Sequence, residues 1–487
     1  MRHSFTQNTE PERRGIVVVL AAVFMVVIFA FLAFSVDVGY ITLVKGQLHN
    51  AADASALAAA MEMTAANPGD VLTNVEQAAL EVAAANPAGD YEGVQLNPAD
   101  GEVEVGRRTW NQSTGEFDYL WGAAATPYNV VKVTASRGGA DSLPLFFAPV
   151  LGHNTADLRV SAIAGFQPRD LMLVLDYSGS MNDDSELKSI DKLPQADIED
   201  NLFQIWEDLG SPTYGNMEFE PQTLAEISPG GGSAISVLGL DGVPYPYPSG
   251  SWSDFINYVQ DSNNIDDAGY EDKYGYLTLI NYWLEKRPMA SQTPDLWKAS
   301  AQPITALKDA VSVFTGYLKS VQAEDNVGLA VYTYPADGGA KLERGLGTDL
   351  DPIDTISRQR QAAHYDRYTN IGAGMQKARI ELENNARSDA DLVMVLMTDG
   401  IANRPNGSSF ARQFALQEAD RAAAANIKIM TVSLGINADT ALMQQISDGT
   451  GGTHFNVPGG SSVADYTAQL QDVFREIASD RDVKLLQ

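Results

Sequence analysis

Cysteine is absent from the 487-residue chain, which removes disulfides, thiol nucleophiles and thiolate metal sites together. Histidine is scarce, with five copies, so a serine nucleophile would have few bases to draw on. Lysine and arginine are outnumbered 33 to 63 by aspartate and glutamate, for a net charge of −30. No basic stripe is present to meet phosphates, and nucleic acid is excluded as a partner. A G-x-x-x-x-G-K-[ST] phosphate loop is also missing, and Asp261-Ser-Asn-Asn-Ile fails the calcium-loop template at its fifth position. What the chain does have is length for two or three folded units and one long run without charge.

That run is residues 16–36, IVVVLAAVFMVVIFAFLAFSV. Twenty-one helical residues reach roughly 30 Å, the thickness of a bilayer's hydrocarbon core. The run is longer than the apolar core of a secretory signal and ends at Val36-Asp37-Val38 without a small-x-small cleavage site. It predicts a transmembrane helix. Arg2, Arg13 and Arg14 precede it and only Lys45 follows closely, so residues 1–15 are expected in the cytoplasm and the bulk outside it, periplasmic or extracellular. Beyond the span, Ile41, Val44, Leu48, Ala51, Ser55 and Ala58 recur at helical spacing. This predicts a helical extension over 37–66 whose small residues pack against a partner or, as the plainer alternative, against the chain's own next unit.

Turn signals at Asn67-Pro68-Gly69 and Asn86-Pro87 are followed by a change of period to two. GEVEVGRRTW, GEFDYLW and YNVVKVTASR read as short strands, and Leu143–Leu151 and Leu158–Gly165 as further apolar segments. Residues 67–168 are thus expected to form a small α+β module. From residue 169 to 487 buried strands alternate with helices: LMLVLD, NVGLAVYTY, DLVMVLMTD, NIKIMTVSLG and THFNV, with helical stretches at Ile304–Lys319, Gly372–Glu383, Phe410–Ala425 and Thr440–Ser447. That is the pattern of a doubly wound, Rossmann-like α/β sheet, whose ligands sit at the carboxyl ends of the strands.

At that edge LMLVLDYSGSMND places Asp176, Ser178 and Ser180 after the first strand. Three readings compete: a serine nucleophile, an oxygen-lined metal site, or a polar turn. Tyr368-Thr369-Asn370-Ile371-Gly372 and Met397-Thr398-Asp399-Gly400 bring more oxygen to the same edge. The nucleophile reading lacks a G-x-S-x-G elbow. Of the five histidines, His364 and His454 stand alone; His364 precedes Thr369 by five residues, but no oriented acid–base arrangement can be read.

Between Asn182 and Ser300 lie 21 acidic and 6 basic residues, together with 15 aromatics that include Trp206, Trp252, Trp283 and Trp297. The charge alone suggests a disordered loop, whereas the aromatics argue for a folded subdomain. An insertion at about 183–300 therefore interrupts the domain after its first strand, beside the serines, where it would cap the site or widen its binding surface.

Two resemblances gather these features. RRG, the long apolar run, VDVG and QLHNAADASALAAA resemble the N-terminal module of the TadE/TadG-like proteins of bacterial Flp (Tad) pilus systems, which implies a pilin-like anchor carrying an extracytoplasmic domain. Prepilin-type processing sites carry Glu five residues after the Gly. Here Leu20 follows Gly15 at that distance, so a permanent anchor is expected rather than cleavage at Gly15. D-x-S-x-S at Asp176, Ser178 and Ser180, with Thr369 and Asp399, resembles the metal-ion-dependent adhesion site of von Willebrand factor A domains. The resemblance implies that Ser178 and Ser180 bind the cation directly, that Thr369 does so directly or through water, and that Asp176 and Asp399 act mostly through waters. Mg²⁺, or Mn²⁺ or Ca²⁺, suits such an oxygen set, and neutral hydroxyls leave it enough charge to attract a partner's Asp or Glu carboxylate. The expected function is that of a membrane-anchored binding protein in pilus assembly, adhesion or envelope organisation, not an enzyme, with other Tad pilus components as candidate partners. The alternatives are a metal-independent structural component of a pilus or secretion machine and, further off, a serine hydrolase using Ser178.

Overall fold

The computed structural model describes residues 14–64, 71–111, 113–114, 116–228, 233–321, 324–332, 338–388, 390–435, 437–458 and 463–486. Arg2, Arg13 and the Asn67-Pro68-Gly69 turn lie outside them. The chain divides into two compact units, residues 1–166 with 482–487, and residues 167–481.

In the first unit a single 48-residue helix, α1 (Arg14–Met61), runs through both the apolar run and its extension. From Val17 to Val36 its side chains are exposed apart from half-buried Ala33. Asp37 is the first buried one. Packing begins where the apolar run ends. Past Asp37 the stripe Val44, Leu48, Ala51, Ala52, Ser55, Ala56 and Ala59 is fully buried. It lies against α2 (Val71–Ala84) and a five-stranded antiparallel sheet. The small residues therefore serve the chain's own core. The sheet holds β1 (Val103–Asn111), β2 (Glu116–Trp121), β3 (Val130–Arg137) and β4 (Leu158–Phe166). Its fifth member is Val483–Leu485, the last strand of the chain, paired antiparallel with β4. This corrects the expected boundary of 169–487. A three-residue strand carries too little pattern to be read, yet it is held by backbone bonds such as Leu486 N–H to Ile163 O at 2.7 Å.

The second unit is built on six strands: β5 (Arg169–Asp176), β6 (Asn326–Tyr332), β7 (Ala340–Arg344), β8 (Asp391–Thr398), β9 (Ile427–Leu434) and β10 (His454–Val457). Their order is β7-β6-β5-β8-β9-β10, with parallel neighbours except for the antiparallel edge strand β7. Every residue of β5 is buried, as befits the middle of a sheet covered on both faces. The helices follow the alternation read from the sequence: Ile304–Val321, Ile371–Asn385, Ser408–Ala424 and Thr440–Thr450. Two more, Asp351–Arg358 and Val463–Ser479, were not foreseen. The last of these buries Leu470, Phe474, Ile477 and Ala478.

The insertion is folded. Its helices Gln195–Asp208, Trp252–Gln260 and Tyr276–Lys286 contribute Ile198, Leu202, Phe255, Leu277 and Trp283 to the hydrophobic core that also takes Leu171, Leu173 and Leu175 of β5. Nine of the eleven residues of Tyr276–Lys286 are buried. The aromatics thus outweigh the charge, and the subdomain shares a core with the sheet it interrupts.

Candidate metal centre

Strand order reverses between β5 and β8: from β5 the chain crosses to β6 on one side, and returns to β8 on the other. A crevice opens at such a switch point, at the carboxyl ends of the strands. Asp176 ends β5 and Asp399 follows β8.

Four of the five candidate residues are joined by hydrogen bonds. The Ser178 N–H donates to Asp176 Oδ1 at 2.8 Å, the Ser178 and Ser180 hydroxyls meet at 3.0 Å, and Ser180 Oγ donates to Asp399 Oδ1 at 2.8 Å. Thr369 joins through its backbone. Its N–H donates to Asn403 Oδ1 at 3.0 Å, while its carbonyl accepts from Asn403 and Arg404 N–H, four and five residues past Asp399. Gly179 N–H reaches Arg367 O at 3.1 Å, two residues before Thr369. All three loops are therefore strapped together, although among the described residues the Thr369 side chain is not hydrogen-bonded to the other four. Asp176, Ser178, Thr369 and Asp399 are buried and Ser180 is half-buried.

Glycine in these loops supplies clearance. A Cβ on Gly179 would stand 3.2 Å from the Arg367 Cβ, one on Gly400 would stand 3.2 Å from Ser180 Oγ, and one on Gly372 would collide with the Phe414 ring at 2.4 Å. None of the three has a positive φ. Their part is close approach and not a left-handed turn.

Sequence reasoning missed Thr398. Its hydroxyl donates to Asp176 Oδ2 at 2.8 Å, so with Ser178 N–H on the other oxygen the carboxylate is held at both ends. Only the parallel register, Val174 opposite Leu396, could have placed Thr398 beside Asp176. Tyr332 of β6 supports the same floor, donating its hydroxyl to Met397 O.

The electrostatics are those of a pocket with surplus negative charge. Burial pushes the Asp176 carboxyl up against the bonds from Ser178 and Thr398. Burial and then the charge of Asp176 hold Asp399 well above the usual carboxylate range, with Asp183 adding to the effect. Two carboxylates and three hydroxyls, all hard oxygen donors, fit a small divalent cation in charge and chemistry. Ser178, Ser180 and Thr369 would hold it, and Asp176 and Asp399 would balance its charge and orient the serines.

The insertion reaches this point. A cleft of about 250 Å³ opens beside Gly179 and Ser180, and Asp183, Glu186, Lys188 and Glu285 of the insertion line it. Lys188 bridges Asp183 at 2.6 Å and Glu186 at 2.9 Å. The insertion thus extends the surface next to the site.

Among the described residues no hydrogen bond joins the His364 ring to Ser178, although the preceding Ala363 N–H bonds to Ser178 O at 3.2 Å. His364 packs edge-on against Tyr365 with ring centroids 4.7 Å apart. Burial, followed by the nearby Arg360 charge, brings its pKa down from 6.5 to about 4. A depressed folded-state pKa means that the unfolded chain takes up the proton first. The stability held by neutral His364 is therefore complete above pH 6.5 and is lost as pH falls through about 4. Melting temperatures measured from pH 7 to pH 4 should fall less steeply in His364→Gln than in the wild type.

Family models match three stretches of the chain. A TadE/G-like Flp pilus-assembly model covers residues 15–62, a Tad-like Flp pilus-assembly model covers 47–164, and the von Willebrand factor type A domain covers 297–473. The last match begins at residue 297, at the end of the insertion, so it is the sheet pairing that joins the D-x-S-x-S strand to the domain. No curated protein matches the chain. Among solved structures, an aerotolerance-related membrane protein from Bacteroides fragilis is similar at 15% identity, over 36% of this chain and 90% of that one, with a TM-score of 0.28. The PilB minor pilin from Streptococcus sanguinis is similar at 11% identity over 78% and 87%, with a TM-score of 0.34. The pilus adhesin SpaC from Lactobacillus rhamnosus GG is similar at 12% identity over 79% and 36%, also with a TM-score of 0.34. The chain joins a Tad-type N-terminal module with an apolar anchor helix to a von Willebrand factor A domain.

Proposed function

We propose that this protein is a membrane-anchored, extracytoplasmic binding protein of the TadE/TadG type that engages a partner's Asp or Glu carboxylate through a divalent cation, Mg²⁺ or else Mn²⁺ or Ca²⁺. The cation lies among Asp176, Ser178, Ser180, Thr369 and Asp399. Its N-terminus faces the cytoplasm, and it serves Flp/Tad pilus assembly, adhesion or envelope organisation, with other pilus components as partners. The observation that carries this reading is the chain of bonds from Asp176 through Ser178 and Ser180 to Asp399, across the one crevice where the strand order reverses.

With a net charge of −30 the surface repels an acidic partner, so the cation reverses a repulsion as well as forming a bond. Capture of envelope proteins on the immobilised full-length protein should require Mg²⁺, fail in chelator and fail with Ser178→Ala or Thr369→Ala. It should survive moderate salt, because ions screen long-range repulsion over about 10 Å at 0.1 M but barely weaken a direct ligand bond. Binding that persists in chelator and collapses in salt would instead mark a metal-independent charged contact.

A further inference from the structure

Leu143–Leu151, LPLFFAPVL, is nine consecutive residues without a polar side chain, and the candidate metal centre makes no use of it. It forms the tip of a closed loop. Leu143–Pro144 pairs antiparallel with Thr155–Ala156, Leu145 N–H bonds to Asn154 O at 3.0 Å, and a short helical turn over Ala148–Leu151 ends at Gly152 in the left-handed region. The tip does not fold its apolar side chains inward: Phe146 is 63% exposed, Phe147 46%, Val150 88% and Leu151 76%. A contiguous bare patch of this kind marks an interaction surface.

Its position identifies the partner. The buried carboxylate of Asp37, one residue past the apolar run, accepts the backbone N–H groups of Phe146, Phe147 and Ala148 at 2.8, 2.9 and 2.6 Å. The Phe146 ring lies 5.1 Å from the ring of Tyr40, one turn further along the same helix. The loop is therefore clamped to α1 at the level where the exposed apolar segment Val17–Val36 gives way to packed protein. Val150 is only four residues along the chain from Phe146, within roughly 14 Å. The headgroup boundary falls at this level if 16–36 spans the bilayer, and aromatic and aliphatic side chains partition there favourably.

We propose that the Phe146–Leu151 loop is a second membrane contact: it inserts Phe146, Phe147, Val150 and Leu151 into the interfacial layer of the bilayer that α1 crosses. Asp37 is the clamp that fixes it there. Asp37, which holds the loop, directly follows the last residue of the apolar run, and that is why the occupant is lipid and not a second protein. The proposal rests on reading residues 16–36 as the membrane span, and the test separates the two.

The cysteine-free chain allows single-cysteine spin labelling without background. Full-length Val150→Cys and Leu151→Cys, reconstituted in phosphatidylcholine–phosphatidylglycerol vesicles, are compared with Phe29→Cys in the span and with Glu207→Cys at an exposed position of the second unit. Collision with oxygen, which concentrates in lipid, is measured against collision with a water-soluble nickel chelate. Labels at positions 150 and 151 should favour oxygen over nickel several-fold, as the label at 29 does, with the opposite ratio at 207. Nickel-dominated collision at 150 and 151 with oxygen-dominated collision at 29 would overturn the loop contact and leave the span standing. Nickel-dominated collision at 29 as well would overturn both. Low collision with both reagents at 150 and 151, together with dipolar broadening between labels, would show a second copy of the chain on the patch and likewise overturn the proposal.

Discussion

Asp399→Asn is expected to melt at a higher temperature than the wild type when both are metal-free, and to lose most of the further rise that Mg²⁺ gives the wild type. Asn keeps an oxygen for the Ser180 hydroxyl at the position where Asp399 Oδ1 accepts at 2.8 Å. It removes a buried carboxylate whose pKa burial and then repulsion from Asp176 push up, beside Asp176 itself, which burial pushes up. Relief of that repulsion should be worth on the order of 1–3 kcal/mol, a shift of several degrees in a domain of this size. In the metal-free wild type the folded state holds its protons more tightly than the unfolded state. Its stability therefore falls as pH rises from the ordinary carboxylate range through the raised pKa, and Asp399→Asn should lack part of that slope. With metal the order reverses. A cation present at ten times its dissociation constant stabilises the wild type by about 1.4 kcal/mol, and loss of a charge-balancing carboxylate typically weakens metal affinity by roughly 10–100-fold. Calorimetric scans with and without Mg²⁺ give both effects. A metal-free variant less stable than the wild type, yet shifted equally by Mg²⁺, would mean that Asp399 is an ordinary structural acid.

Asp325→Ala should destabilise the second unit by about 3–5 kcal/mol. Asp325 lies between two buried guanidiniums, with Oδ2 2.9 Å from Arg169 Nη2 and 2.7 Å from Arg481 Nη2, and also accepts the Arg169 N–H at 3.1 Å. Arg169 in turn donates to the carbonyls of Ile477, Ala478 and Asp480. One carboxylate thus ties the starts of β5 and β6 to the end of the last helix, and its removal leaves two cations facing each other away from water. Burial alone would raise its pKa, but the two arginines prevail and hold it below the usual range. The stabilisation is accordingly complete above the ordinary carboxylate range and is lost as pH falls through the depressed value. Urea unfolding followed by tryptophan fluorescence measures the loss, and a change below about 1 kcal/mol would refute the account of this triad.

What the sequence made legible follows from locality. Asp176, Ser178 and Ser180 lie within five residues at the end of an apolar strand, and that pattern sufficed to place them at a sheet edge. Thr398 contacts Asp176 only because β5 and β8 pair in one register, which no local pattern states. The edge strand β7, AKLER, is too short and too charged to stand out, and Val483–Leu485 belongs to a sheet whose other strands lie more than three hundred residues earlier. The insertion's aromatics showed that it would fold. Its use of β5 for a core depends on contacts between distant segments. The end of the apolar run coincides with Asp37, the first buried residue among those described, and both are local features of one helix.

We propose above that Asp176, Ser178, Ser180, Thr369 and Asp399 hold one divalent cation. The most direct test is titration of the metal-free, full-length protein with Mn²⁺, with free ion read from its paramagnetic resonance signal, in the wild type and in Asp176→Ala/Ser178→Ala. Weak, non-saturating association with the acidic surface should be common to both proteins. One additional saturable equivalent is expected in the wild type, displaced by Mg²⁺ and missing from the double variant; superimposable titrations of the two proteins would rule out a cation at these residues.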